Sequence, residues 1–464
     1  MQEVDEVVSA GWVITVENDV VLQDHSVVVH EGKILQILPT GEVAARFQAK
    51  TMTSLPDSAL MPGFVNAHTH TPMTFLRGVS DDIPLREWLE HTIWPLEFKL
   101  CEADFVREGA ELALLEMVTG GVTTFNDMYW FPEEICDAVL RSGLRAAVGM
   151  IAIEFPFGTY GTGPDDYLAK GERMRERFAS EPRLSWTVAL HAPFTCSDDT
   201  LRKGGQLSER LGVPLHIHLH ETEEECSASR AGDRDSKSCH LSDQQTTPLA
   251  NLKRLGLLND RLIAVHMNWL TDEEVGWCGA AGATVVHCPC SNLKLASGFC
   301  RVADLLAAGV NVAIGTDGAS SNNTLDMMAE MKTAAILAKA VAKDAGVVPA
   351  STALRMATLN GAKALGLASV TGSLAVGKDA DMIAVSFSGP ATWPRPNAAP
   401  GTPGFDPVTH IVYSSTRDQV TDVWVQGRRL MQDRKVLTLS ADGICESAQK
   451  WGSKIQAALQ ELRK

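Results

Sequence analysis

Residues 216–220 read His-Ile-His-Leu-His, and Glu221 follows at once. Alternation is the period of a β-strand, so His216, His218 and His220 share one face of an extended segment while Ile217 and Leu219 take the other. A lone strand histidine is ordinarily a satisfied core residue. Three in register beside a carboxylate are material for a cation site or for proton transfer. His68 and His70 form a second pair, also two residues apart, and Asp317 stands in the stretch IGTDGAS. Imidazole nitrogens with one carboxylate oxygen make a donor set that suits zinc and leaves room for a water. Spacing alone does not choose between His218 and His220.

Two other zinc patterns are absent. His220-Glu221 has no second histidine at the H-E-x-x-H position, which excludes a metalloprotease helix. Pro289-Cys290 runs on into Ser-Asn-Leu, which excludes the H-x-E with P-C-x-x-C signature of the cytidine-type deaminases.

The elements that must position these residues are legible as apolar runs: Ala59 to Asn66, Val122 to Asn126, Leu144 to Met150, Leu184 to Leu190, Pro214 to Leu219, Leu262 to Val265, Ala283 to Val286 and Val310 to Ile314. Segments with helical spacing, such as DFVREGAELALLEMVTGG, separate them. Eight buried strands alternating with helices have the size and rhythm of a (β/α)8 barrel, an α/β fold whose active site lies at the carboxyl ends of the strands. His68, His70, His191, His218, His220, His266, His287 and Asp317 all fall at such ends. Run four closes on His191 and not on lysine, so no carboxylated lysine is expected to bridge two metals. Gly63, Gly315 and Gly318 are expected where a side chain would clash.

The flanks have a different texture. Trp12 to Leu38 reads as short strands with turns at Glu17-Asn18-Asp19 and Glu31-Gly32, and SLAVGKDADMIAVSF and HIVYSSTRDQVTDVWVQGRRL alternate apolar and polar residues near the other end. The two ends are predicted to pair into one composite β-sandwich, giving residues 1–58 and 371–464 (with a terminal helix) to the sandwich and 59–370 to the barrel. The polar stretch 226–248 is expected as a surface loop, and the Pro/Gly-rich stretch 390–405 as a long loop.

The net charge of −16, from 57 acidic and 41 basic residues, leaves no electrostatic footprint for a nucleic-acid polymer or an anionic membrane. The first residues are acidic and lack a basic segment followed by an apolar one, so no signal peptide is expected. No apolar run approaches the ~20 residues that span a bilayer. The ten cysteines lack framework spacing and read as reduced thiols of a cytoplasmic protein.

GFVNAHTHTPMTFLRG, HLHET, AVHMNWLTDEE, HCPCSNLKLASG and IGTDGASSNNTLDM together resemble the amidohydrolase superfamily, in its mononuclear cytosine-deaminase-like branch of aromatic aminohydrolases. LREWLEHTIWPLE looks most like the 5′-methylthioadenosine/S-adenosylhomocysteine deaminases of that branch. The family motif places a metal-binding histidine three residues before a catalytic glutamate, which implies His218 and Glu221. Packing or support of the ligands is then expected for His216 and His220, and His287 is not required as a ligand. The resemblance implies one divalent ion, zinc before iron or manganese, held by His68, His70, His218 and Asp317. Asp317 would take a proton from the attacking water, Glu221 would protonate the neighbouring ring nitrogen, and His266 would orient the water. Glu221 must then titrate above a free carboxyl, as an apolar site can arrange.

For the substrate, the resemblance implies a small-molecule adenine nucleoside thioether, with adenosine as a further candidate. Trp88 would wall the pocket, Glu97 would accept hydrogen bonds from the ribose hydroxyls, and His191 would contact the nucleoside. No arginine is placed for an amino-acid tail, and the insertion after Glu221 departs from the family pattern. Rivals on the same scaffold are hydrolysis of guanine-like bases, cytosine or s-triazines, and cyclic amide hydrolysis. A homo-oligomer is expected, with no segment that identifies its interface.

Overall fold

The computed structural model describes residues 1–231, 246–394 and 405–462. Two eight-stranded sheets organise the chain. The first is built from β1 (Gln2–Ile14), β2 (Val21–His30), β3 (Lys33–Pro39), β4 (Phe47–Pro62), and, far along the chain, β13 (Met382–Ser386), β14 (Val420–Val425), β15 (Arg428–Gln432) and β16 (Lys435–Val436). The second holds β5 (Phe64–Thr69), β6 (Val122–Asp127), β7 (Arg145–Ala152), β8 (Leu184–Leu190), β9 (Leu215–Leu219), β10 (Leu262–His266), β11 (Thr284–His287) and β12 (Asn311–Ile314).

In the second sheet neighbours in sequence are neighbours in space, every pair is parallel, and β5, β6, β7, β9, β10 and β11 are buried at every residue. Burial on both faces is why these strands read as continuous apolar runs and not as alternation. Side chains help close the barrel at the β12–β5 seam. Asn66 Oδ1 accepts from the Thr316 N–H at 3.0 Å, its Nδ2 donates to Thr316 Oγ1 at 2.7 Å, and the Asp317 N–H donates to the His68 carbonyl at 3.1 Å. The seam therefore sets Asp317 beside His68 and His70. A Cβ on Gly315 would lie 2.8 Å from the His68 carbonyl oxygen, so only glycine lets β12 come this close.

The first sheet runs β16-β15-β14-β13-β4-β1-β2-β3 and joins the two ends of the chain through antiparallel β4–β13 pairing, Met382 opposite Pro62 and Ser386 opposite Ser58. It curls until the Glu31-Gly32 turn meets the far strands, with the Ala380 N–H on the Gly32 carbonyl at 2.9 Å. Val8, Val27, Leu60, Met382 and Trp424 pack inside the curl. Arg145, at the start of β7, clamps the two sheets together. Its Nε donates to Asp381 Oδ2 at 2.9 Å and its Nη2 to Asp379 Oδ2 at 2.6 Å, all three side chains being buried.

Four expectations change. The run Ala59 to Asn66 is two strands: residues 59–62 end β4 in the terminal sheet, and the barrel starts at Phe64. The break is Gly63, where a Cβ would sit 2.1 Å from Thr123 Cγ2. HIVYSS is not extended but ends a helix, Pro407–Tyr413, because the Asp406 side chain accepts from the Val408 N–H at 3.0 Å and proline follows at the first helical position. SLAVGKDADMIAVSF is strand only from Met382. Of the stretch 226–248, residues 226–231 finish a helix, Glu223–Ala231, whose acidic first turn suits a helix N-terminus, and 232–245 lie outside the described residues. Most of the 390–405 stretch, residues 395–404, lies outside them too. No helix among the described residues is long and apolar enough to cross a membrane.

Candidate active site

His68 is near the end of β5 and His70 just beyond it, where a 3-10 turn, Thr71–Leu76, takes over. His218 comes from β9 and Asp317 from the turn after β12. Three segments distant in sequence thus converge at the carboxyl end of the barrel. The Nε2 of His218 is 3.2 Å from His68 Nε2 and 3.3 Å from His70 Nε2, and Asp317 Oδ1 is 3.3 and 3.2 Å from those same two atoms. All four donor atoms lie within 4.8 Å of one another and are buried. Tetrahedral ligands about 2.0–2.1 Å from a central ion are about 3.3 Å apart. The cluster fits a metal site.

The orientation of each of the four side chains is fixed from behind. A carbonyl can only accept, so the contacts of His70 Nδ1 with the Met128 carbonyl and of His218 Nδ1 with the His191 carbonyl, both 2.6 Å, put the proton on Nδ1 and turn the Nε2 lone pair toward the centre. His68 Nδ1 meets His216 Nε2 at 2.9 Å, so His216 braces the His68 ring from behind. Asp317 Oδ2 accepts from Ser291 at 2.6 Å and Ser321 at 2.9 Å. Burial holds His68 down at about 4 and His218 well below its ordinary value, which keeps their nitrogens free to ligate. Burial opposes ionisation of Asp317, but hydrogen bonds and charge from His68 and His70 outweigh it and hold the carboxyl well below its usual range.

Glu221 follows the end of β9, 6% exposed, with His266 Nε2 3.6 Å from its Oε2 and the Ser297 hydroxyl 3.4 Å from its Oε1. Burial raises its pKa, despite the opposing charge of His266. The Glu225 carboxylate accepts from the N–H groups of both His220 and Glu221, at 3.2 and 2.9 Å, and so holds the turn that aims Glu221. His220, Asp317 and His266 have φ of +53°, +61° and +75°. Each such conformation costs roughly 1–3 kcal/mol and concentrates at functional sites. Here it breaks the extended run at the strand ends, and Asp317 and His266 line the cleft. His220 itself points away from the donor set: its Nδ1 donates to the Trp269 carbonyl at 2.8 Å and its Nε2 accepts from the Leu249 N–H at 3.0 Å. His287 is buried outside the donor cluster, with neither ring nitrogen partnered among the described residues.

A cleft lined by His70, His218, Glu221, His266 and Asp317 also takes in Trp88, Glu97 and His191. The Trp88 N–H is buried with no acceptor among the described residues. Glu97 is 5% exposed, accepts from the Tyr129 hydroxyl at 2.6 Å, and is pushed up to about 7 by burial. His191 Nδ1 contacts Thr195 Oγ1 at 2.9 Å. The outer wall is aromatic: Trp130 stacks on Phe157 at 3.9 Å and Phe98 meets Phe157 at 4.9 Å. Among its described lining residues the cleft has no lysine or arginine. Tyr129, Glu225 and this wall were not foreseen. Nothing in their local spacing distinguishes them from ordinary core, and only the loop conformations bring them here.

Comparisons with known proteins agree with this geometry. A chain of 39% identity over 455 residues, 98% of this chain and 98% of the other, is the 5-methylthioadenosine/S-adenosylhomocysteine deaminase of Teredinibacter turnerae. The 5′-deoxyadenosine deaminase of Methanosarcina mazei is 39% identical over 98% of this chain and 99% of its own. The crystal structure of an adenosine deaminase from Xanthomonas campestris with bound zinc superposes with a TM-score of 0.92 at 43% identity, covering 98% of this chain and 99% of that one. The sequence model of the amidohydrolase family matches residues 59–430, and the chain belongs to that family.

Proposed function

We propose that the protein hydrolytically deaminates adenine nucleosides carrying a 5′ thioether, 5′-methylthioadenosine and S-adenosylhomocysteine, with adenosine a further substrate, releasing ammonia and the inosine analogue. The observation that carries this reading is one cleft lined both by members of the four-donor cluster with Glu221 and by the buried Glu97 carboxyl. The named activities of the relatives support it. His68, His70, His218 and Asp317 would hold one divalent ion, zinc by the donor set and by the zinc of the Xanthomonas structure. When bound, that ion acidifies water and supplies a nucleophile at neutral pH.

The chain's own groups do the rest. Glu221, whose charged form burial disfavours, gives its proton to ring nitrogen N1, which makes C6 electrophilic. Asp317 receives the proton released by the attacking water, and His266 orients that water. As the C6–N bond breaks, the amino group takes up a proton and leaves as ammonia, and C6 keeps the oxygen. A carboxylate facing the ribose diol accepts two hydrogen bonds, so Glu97 selects ribosides over free bases. The aromatic outer wall suits an uncharged methylthio tail better than the zwitterionic tail of S-adenosylhomocysteine. Such a small-molecule reaction fits a cytoplasmic enzyme.

Ammonia release from 5′-methylthioadenosine, S-adenosylhomocysteine, adenosine, guanine, cytosine and an s-triazine tests the reading. The expected order places 5′-methylthioadenosine first in kcat/KM. Turnover of a free base or a triazine, with the nucleosides untouched, would overturn it.

A further inference from the structure

The hydrogen bonds around Glu221 form a ring with a determinate polarity. The Glu221 carbonyl oxygen can only accept, so the atom of Asn268 lying 2.8 Å from it must be the amide nitrogen. The Asn268 oxygen therefore faces its other partner, Asn292, 2.9 Å away. An oxygen there demands a donor, which fixes the Asn292 nitrogen on that side and its oxygen on the other. The Asn292 oxygen lies 2.8 Å from His266 Nδ1. That nitrogen must carry a proton. The ring then returns to its origin, since His266 Nε2 is 3.6 Å from Glu221 Oε2. Asn268, Asn292 and His266 are 5%, 0% and 1% exposed, so bulk water does not compete for these bonds.

We infer that Asn268 and Asn292 are positioning residues whose aligned amides fix the tautomer of His266, leaving its Nε2 an acceptor that faces Glu221 in the neutral imidazole. The consequence rests on the function proposed above. A neutral His266 accepts a hydrogen bond from the attacking water and thereby orients its lone pair. The other tautomer carries its proton on Nε2 and could not accept from the water. Asn268 and Asn292 are not themselves among the donor cluster or the described lining residues of the cleft. Asn292 meets the site through His266, and Asn268 also holds the Glu221 carbonyl.

The tautomer is read directly by ¹⁵N NMR on the zinc-loaded protein labelled at histidine, with His266→Gln used to assign the signal. The expected result is an Nδ1-protonated, Nε2-bare His266 in the neutral form. An Nε2-protonated His266 overturns the inference, whether or not the enzyme deaminates nucleosides. Kinetics give a second reading. Asn292→Leu should lower kcat about tenfold to a hundredfold, the scale seen when a supporting hydrogen bond is removed, with KM and zinc content unchanged. Asn292→Asp keeps an acceptor for His266 Nδ1 and should recover part of the loss. Equal losses in both variants, or a loss confined to KM, would assign the pair a structural role and sink the inference. A panel in which no nucleoside turns over would refute the proposed function and leave the tautomer measurement standing.

Discussion

Glu221→Gln separates chemistry from structure. Among the described residues the carboxyl group meets only the Ser297 hydroxyl at 3.4 Å and His266 Nε2 at 3.6 Å, both long contacts. The residue is held in place by its backbone, through Glu225 on the N–H and Asn268 on the carbonyl, and the substitution leaves both untouched. Glutamine is nearly isosteric and removes an ionisable group that burial already disfavours, so stability should be unchanged or slightly higher. The amide cannot deliver a proton. Loss of a positioned acid–base group costs about 10²- to 10⁴-fold, and at ~1.36 kcal/mol per decade the barrier should rise by roughly 2.7–5.4 kcal/mol. The assay is the ultraviolet change on conversion of the adenine ring to hypoxanthine, run beside metal analysis and thermal unfolding. A variant within about threefold of wild-type kcat would refute Glu221 as the proton donor. Parallel loss of metal and of thermal stability would show that the residue supports the cluster instead.

Further outcomes follow from the same geometry. His218→Ala should abolish metal binding while His220→Asn keeps the metal and loses stability, since only His218 faces the other donors; equal metal content in both, measured by atomic emission, would contradict this. Chelation should remove activity and lower the unfolding temperature, and zinc should restore both; at a thousandfold excess over Kd the stabilisation is about 4.1 kcal/mol. Glu97 titrates at about 7 in the free protein, and diol donors favour its charged form, so the bound-state pKa is lower and binding expels a proton below pH 7. Nucleoside KM should therefore fall as pH rises toward 7, and Glu97→Gln should flatten that slope; an unchanged slope would remove the ribose assignment. Arg145→Met leaves Asp379 and Asp381 buried with their main counter-charge gone and should cost about 3–5 kcal/mol in denaturant unfolding without changing KM.

Much of the site was readable before any coordinates. The i, i+2 spacing of His68 and His70 and the alternation at 216–220 announce strands with imidazoles on one face, because a strand's period is short and local. The eight apolar runs announce a barrel because parallel strands buried on both faces leave an unbroken apolar signature, and β8 falls at Leu184–Leu190, as read. Terminal elements were less legible. HIVYSS alternates like a strand, yet the Asp406-Pro407 start makes it helical.

What sequence spacing left undecided, direction decides. His218 and His220 share a strand periodicity, but the positive φ at His220 breaks the extended run and sends one imidazole to the donor cluster and the other to Trp269 and Leu249. The family motif could select His218; the spacing could not. The polarity of the Glu221–Asn268–Asn292–His266 ring, the partnership of Tyr129 with Glu97 and the Arg145 clamp depend on groups brought together from 24 to 236 residues apart in the chain. Local sequence encodes the strand and the chemistry it carries. Which atoms face one another is a property of barrel closure and of the loops that follow the strands, and it exists only in the folded chain.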